Sequence, residues 1–367
     1  MLKNRLKKTL IDLFEFNEVY PEEKEIIKYV CTRLEKANVA YQLDSFKNII
    51  AKIPGSGDPI MLCTHLDIPE PAPNLKFVEE GDILRSDGEG ILGVDPKTGV
   101  AILLELIDDL AKENLSNSPL EIVFTRGEEV GLLGAKNLDL SLIKSKIGLV
   151  LDEDGPVTQV VIQAPSFVKI DAKIVGKAAH PREPKDGINA LQAAAEAITQ
   201  VPLGFSTPGV TWNIGILKSG TARNTIPGSA EIIAEMRSYD TDLVVSEGKR
   251  VKEIFQNSCT RLGAKCDFSD SLELEGYKLE TSSPLFKKLE TSFAQMGLKP
   301  NYFATFGGSD ANIFNAKGIT CVPIGSGYYN AHQYSEYADL ADMVQIVDFL
   351  KLFVKKGQYY RTMIIQS

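Results

Sequence analysis

At 367 residues the chain exceeds the size at which one hydrophobic core usually stops growing, so two domains are expected, one of them able to be an insertion in the other. A hydrophobic fraction of 44% is ordinary for a soluble globular protein, and a net charge of −9 without a basic cluster speaks against nucleic acid or an anionic membrane as partner. Small molecules or peptides fit better.

The stretch MLKNRLKKTLIDLF is charged, lacks a continuous apolar run and reads as an amphipathic first helix; no later run is long enough to span a bilayer. Cys31, Cys63, Cys259, Cys266 and Cys321 are scattered without paired metal spacing, as expected of reduced thiols in a cytoplasmic protein. Up to about Pro300, stretches of helical period alternate with short apolar runs, the pattern of an α/β fold.

The first clear strand, residues 60–63, runs into CTHLD. In open α/β sheets ligands bind beyond the carboxyl ends of strands, and His65 and Asp67 sit at such an end. Alternate residues of an extended segment share a side, so His65 can face a metal while Asp67 orients its ring; a lone histidine at a strand end also reads as structural or solvent-exposed. A helix follows from Pro96, with Val100, Leu103, Leu104, Ile107 and Leu110 as one apolar stripe. Asp95, just before it, is a candidate ligand or simply an N-cap with proline at the first helical position.

The strand at 120–125 leads into Glu128-Glu129. Adjacent carboxylates repel, and the cost disappears if one binds a cation and the other holds a proton; the alternative is a solvated acidic loop. The strand at 147–151 ends in Asp152, Glu153 and Asp154. From SFVKIDAKIV the period changes to the alternation of half-exposed antiparallel strands, recurring in VTWNIGIL, SAEIIAEMR and around 266–274, with helical patterns at 188–199 and 243–262 between them. The order β-α-β-β-α-β is that of a ferredoxin-like unit. The expected domains are therefore 1–165, an inserted domain at 166–277, and 278–367. A strand at 319–324 leads into a glycine-rich loop carrying His332, with Glu336 four residues later, before a last helix at 340–354.

Each motif admits a turn or cap explanation. Together, four strands of one predicted sheet each end in histidine or acid, as one shared metal pocket requires. Two imidazoles and three carboxylates without a thiolate suit a pair of Zn²⁺ ions, with Mn²⁺ or Co²⁺ as alternatives, rather than a structural zinc or a calcium site.

The ordered set HLD, LGVDPKTG, GEEVG, LDEDGP, GKAAH, RNTIP and AHQYSE resembles the peptidase T-like aminopeptidases. These are dinuclear metallo-exopeptidases, a family that also includes carboxypeptidase G and succinyl-diaminopimelate desuccinylase. The likeness covers nearly the whole chain. It implies an α/β protein with a mixed-sheet catalytic domain and an inserted ferredoxin-like α+β lid and dimerisation domain. It further implies that Asp95 bridges two metals, with His65 and Asp152 on one ion and Glu129 and His332 on the other; Glu153, adjacent, stands as an alternative to Asp152. Glu128 becomes the general base acting on a metal-bridged water, and Asp67 the support of His65. In the family an aspartate at position 152 accompanies aminopeptidases, which implies a free amino terminus in the substrate.

His180 in GKAAHP matches an inserted-domain histidine that stabilises the oxyanion, in some relatives from the partner subunit. Asn224 in ARNTIP and Arg237 in AEMRSYD match substrate-binding residues. A guanidinium suits a peptide carboxylate, though Arg237 also reads as a strand residue in a surface ion pair. Two departures stand out. Relatives have an aspartate after the bridging one, joined by a cis bond; Pro96 takes its place here, and a cis Asp95-Pro96 bond is expected, since X-Pro bonds tolerate it at about 0.5–1 kcal/mol. Pro181 follows His180 where relatives carry a small residue.

The expected activity is metal-dependent removal of the first residue of short peptides, with two divalent metals and no nucleic-acid or membrane partner; pairing of subunits through the inserted domain stays open. The competing readings are an amidohydrolase that deacylates N-acylated amino acids, and a noncatalytic small-molecule binding protein on the same scaffold.

Overall fold

The computed structural model describes residues 1–72, 75–113 and 117–356. In chain order the first elements are α1 (Leu2–Phe14), α2 (Lys24–Lys36), β1 (Ala40–Leu43), β2 (Ile49–Ile53), β3 (Ile60–His65), β4 (Phe77–Glu80), β5 (Ile83–Ser86), α3 (Val94–Glu113), β6 (Leu120–Thr125), α4 (Leu133–Asn137), β7 (Ile147–Glu153) and β8 (Gln159–Ala164). There follow β9 (Ser166–Val175), α5 (Ala190–Thr199), β10 (Gly204–Thr207), β11 (Val210–Ser219), β12 (Ser229–Ser238), α6 (Thr241–Arg261) and β13 (Lys265–Leu274). The last are β14 (Tyr277–Lys278), α7 (Pro284–Gln295), β15 (Asn301–Ala304), α8 (Asp310–Ala316), β16 (Thr320–Gly325), β17 (Tyr328–Tyr329), β18 (Tyr337–Asp339) and α9 (Leu340–Val354). The chain divides into two compact units, one of residues 1–162, 279–304 and 309–367, the other of 163–278 and 305–308.

In the first unit a mixed sheet runs in the order β1-β2-β6-β3-β7-β16-β8, with β15 paired to β8. Its central strands β6, β3, β7 and β16 are parallel. Every residue of β3 and β6 is buried, as strands covered on both faces require. The register sets His65 opposite Thr125 and Cys63 opposite Val150. Two residues further along β7, Asp152 comes level with His65. β3, β6 and β7 therefore deliver their polar ends at one edge.

The predicted stripe of α3 is buried, but so are Ala101, Ile102 and Leu106. The helix is covered nearly all round because it packs on β3 and β7 and also against α1 and α9. A helix in that position must be apolar on more than one face. Its buried acids are matched in turn: Glu105 pairs with Arg5 at 2.7 Å and Arg33 at 3.1 Å, and Asp109 with Lys351 at 2.5 Å. Glu105→Ala, which takes from Arg5 and Arg33 their shared buried carboxylate and leaves each with one acid, Asp109 and Asp108, is expected to destabilise the protein by about 1–3 kcal/mol; chemical denaturation checks it, and a change below about 0.5 kcal/mol would show that the network contributes little.

The second unit has its own core, in which Val168, Ile170 and Ile174 of β9 meet Val251 and Phe255 of α6. Its antiparallel sheet runs β10-β11-β12-β9-β13. The long elements follow β9-α5-β11-β12-α6-β13, and β10 adds a short edge strand hairpinned to β11. Among the described residues no helix is long and apolar enough to cross a membrane.

Candidate metal centre

The edge where β3, β6 and β7 end collects the polar residues of the first unit. His65, at the end of β3, is buried. Its Nδ1 lies 3.1 Å from the main-chain carbonyl of Asp67, while Nε2 lies 2.9 Å from Asp95 Oδ1 and 3.5 Å from Asp152 Oδ1. A proton on Nδ1, donated to that carbonyl, leaves the Nε2 lone pair facing the carboxylates, the arrangement a metal-binding imidazole needs. Asp67 thus meets the ring through its main-chain carbonyl as well as standing near it with its carboxylate. The Asp67 carboxylate is 3.6 Å from Nδ1 and accepts the amides of Glu128 at 3.0 Å and Glu129 at 3.1 Å. The turn after β3 folds the carbonyl back to the ring and frees the carboxylate to hold the loop that presents both glutamates.

Asp95 has φ −85° and ψ 114°, outside the helical region, so it precedes α3 proper. The Asp95-Pro96 bond is cis, as expected from the sequence. Its two oxygens face different imidazoles, Oδ1 toward His65 and Oδ2 toward His332 Nε2 at 3.5 Å. His332 arrives on the loop after β17 with φ 63°, in the left-handed region. Few non-glycine residues adopt it outside sites that require it. Its Nε2 is 2.9 Å from Glu129 Oε1, a buried oxygen that no donor meets with hydrogen-bond geometry.

These side chains form groups able to hold a cation: His65, Asp95 and Asp152; Asp95, Glu129 and His332; and His65, Glu128 and Glu129, with the ligand atoms of each group within 4.8 Å of one another. Asp95 belongs to the first two. Of the adjacent acids, Asp152 joins His65 and Asp95, and Glu153 joins none of these groups.

The electrostatics show a pocket short of positive charge. Burial, then the Asp152 charge, pushes Glu128 well above the ordinary carboxylate range, and burial raises Glu129 and Asp152. Burial also works to raise Asp95, but His332 and His65 outweigh it and hold Asp95 low. Contacts with Asp95 and Glu129 lift His332 to about 10; for His65 burial opposes the change, but Asp152, Asp67 and Asp95 prevail and raise it well above its usual value. Buried carboxylates, an orphaned oxygen and nitrogen lone pairs turned inward fit divalent metals.

Because the surrounding carboxylates raise both imidazoles, a metal competes with protons for them. Zn²⁺ binding to the metal-stripped chain is expected to release protons, and affinity to fall as pH decreases, by up to about tenfold per pH unit for each proton displaced. Calorimetric titration in buffers of different protonation enthalpy checks this; binding without proton release would contradict it.

A profile of peptidase family M20/M25/M40 matches residues 77–356, most of the chain. The chain belongs to this family. The uncharacterized protein YqjE of Bacillus subtilis (strain 168) is 29% identical over 366 residues, 97% of this chain and 99% of that protein. A tripeptidase structure from Staphylococcus aureus subsp. aureus Mu50 superposes with a TM-score of 0.89 at 28% identity, over 96% of this chain and 98% of that one. The aminopeptidase PepT structure from Bacillus cereus ATCC 10987 gives 0.83 at 29% identity, with the same coverage. Curated peptidase T sequences are also similar, that of Escherichia fergusonii at 24% identity over 72% of this chain, but the match spans only 65% of its length. Membership in the M20/M25/M40 family, with these neighbours, makes the chain a peptide hydrolase of the peptidase T-like kind.

The remaining predicted residues lie in the second unit. His180 and Asn224 are exposed, and His180 Nδ1 accepts the amide of Arg182 at 3.1 Å. Arg237 pairs with Glu235 at 3.0 Å, donates to the Phe306 carbonyl at 2.8 Å and lies 5.4 Å over the Phe167 ring.

Sequence reasoning missed Asp310. It is buried, one oxygen accepts from Thr125 Oγ1 at 2.5 Å and the other has no partner. Burial pushes it up to about 7. In sequence it stands next to Ser309, which caps α8, so it reads as an ordinary first-turn acid.

Proposed function

We propose that the chain is a metal-dependent aminopeptidase that removes the first residue of short peptides, tripeptides among them. The observation that carries this reading is the pair of three-ligand groups sharing Asp95, with the Glu128 carboxyl beside them. His65 and Asp152 would hold one divalent ion, Glu129 and His332 the other, and Asp95 both. Zn²⁺ is the proposed metal, with Mn²⁺ and Co²⁺ as alternatives suited to the same donors. When bound, such ions supply Lewis acidity toward a scissile carbonyl and make water a stronger acid.

The chain's own part is proton transfer and positioning. Glu128, buried and raised in pKa, takes a proton from the attacking water and returns it to the departing amine, the role of a general base whose pKa is lifted toward the working pH. Asp67 keeps Glu128 in place through its amide. We assign His180 to the oxyanion and Asn224 and Arg237 to substrate binding. The Arg237 guanidinium, held by Glu235 and Phe306, is preorganised for a carboxylate. A cytoplasmic location is part of the proposal, supported by five cysteines that are all free, and so is pairing of subunits through the second unit.

The test is to strip the protein of metal, reload it with Zn²⁺, Mn²⁺ or Co²⁺, and incubate it with matched free and N-acetylated di- and tripeptides, identifying products by mass spectrometry. Metal-dependent release of the first residue from free peptides alone is expected. Cleavage of the acylated series alone would replace the proposal with a deacylase, and two bound metals without cleavage of any peptide would count against it.

A further inference from the structure

We propose that Glu336 is a positioning residue, whose carboxylate ties the loop presenting Asp95 to the loop presenting His332; the proposal rests on the metal reading above. The Asp95 loop is held at successive points. Ser86 Oγ donates to the Gly90 carbonyl at 2.5 Å. Glu336 Oε1 accepts the amides of Leu92 and of Gly93, the latter at 2.6 Å. Lys97 Nζ donates to the Leu92 carbonyl at 2.7 Å. The Leu92 residue is thus gripped from both sides, by a carboxylate on its N–H and an ammonium on its C=O, three residues before Asp95.

Both gripping groups are buried, Glu336 at 1% exposure and Lys97 at 0%. Buried polar groups are costly unless hydrogen-bonded, and here both complete main-chain bonds of the same residue, which stabilises one geometry. Gly93 has φ 68° and no room for a side chain, since a Cβ there would stand 2.5 Å from Ile68 Cγ2 and 3.2 Å from Lys97 Nζ. The Glu336 carboxylate sits inside this loop, on the amides of Leu92 and Gly93.

The other end of the tie is the His332 turn. The Glu336 amide donates to the Gln333 carbonyl at 2.9 Å, and its carbonyl accepts from Ser86 at 3.0 Å. Glu336 is thereby fixed to the turn that carries His332 by its main chain and to the turn that carries Asp95 by its side chain. Asp95 and His332, far apart in sequence, share the group that also contains Glu129. Fixing one loop against the other sets the spacing of two ligands of the same ion.

The experiment compares Glu336→Ala, Glu336→Asp and Glu336→Gln with the parent chain. Glutamine keeps an oxygen that can accept both amides, while aspartate keeps the charge and falls one methylene short. Hydrogen exchange of the metal-free proteins reads the loop, Zn²⁺ competition against a chelator reads affinity, and the d–d spectrum of the Co²⁺-loaded chain reads ligand geometry. The alanine and aspartate variants are expected to lose protection at Leu92 to Val94, to bind the weaker-held ion about 10–100-fold less tightly and to alter the Co²⁺ spectrum, and glutamine to restore all three.

Unchanged protection or unchanged Zn²⁺ affinity in Glu336→Ala would overturn the proposal. If that variant does not fold, loss in aspartate with rescue in glutamine supports it, and parent-like behaviour of both overturns it. A parent chain that binds neither Zn²⁺ nor Co²⁺ would refute the metal reading, a result separate from the loop protection, which is measured without metal.

Discussion

Glu128→Gln is expected to lower kcat for peptide hydrolysis by at least about 100-fold while leaving the number of bound metal ions unchanged. The expectation follows from two features of the site. Glu128 is held beside the His65, Asp95 and Asp152 group by its main-chain N–H, which donates to the Asp67 carboxylate, and burial with the Asp152 charge keeps its carboxyl ready to hold a proton. Glutamine preserves size and polarity but cannot accept and return a proton. The competing role is visible in the same geometry, because Glu128 also groups with His65 and Glu129 as a third candidate ligand set. If it were a ligand, Glu128→Gln would weaken metal binding in step with turnover. Measuring kcat and metal content on one preparation separates the two, and near-normal turnover would refute the proton-transfer role.

Asp95→Ala is expected to weaken both metal sites together, by more than about 100-fold, whereas His332→Ala should weaken one. Asp95 is the residue common to the two groups, and its oxygens point to two different imidazoles. Removal also leaves His65 and His332 without the carboxylate that lowers their charge cost, so each imidazole becomes easier to deprotonate. Calorimetric titration of each variant with Zn²⁺ distinguishes these outcomes. Loss of a single ion in Asp95→Ala, with the second bound as in the parent, would show that the carboxylate is not shared.

The sequence carries most of this site because strand ends are local events. Residues 60–65 and 120–125 are apolar runs that stop at polar residues, and parallel pairing in register brings those stops to one edge. The proline after Asp95 marked both a helix start and a cis bond. What was hidden depends on the second layer of packing. The full burial of α3 follows from α1 and α9, which no period within α3 reveals. The four-stranded sheet β17-β18-β5-β4 is built from strands of two to four residues, too short to show an alternation. Asp67 was legible as a site residue, but whether its carboxylate or its carbonyl meets His65 depends on a turn. Glu336 and Asp310 act through amides and hydroxyls brought from elsewhere in the chain, and nothing adjacent in sequence signals such partners.

The central claim is that the ends of β3, β6 and β7, with the Asp95 and His332 loops, form one pocket for two cations. The most direct test is a crystal of the zinc-loaded protein measured at the zinc absorption edge. Two anomalous peaks are expected, one on each side of the Asp95 carboxylate, the first against His65 and Asp152 and the second against Glu129 and His332. A single peak, or peaks ligated by other residues, would contradict it.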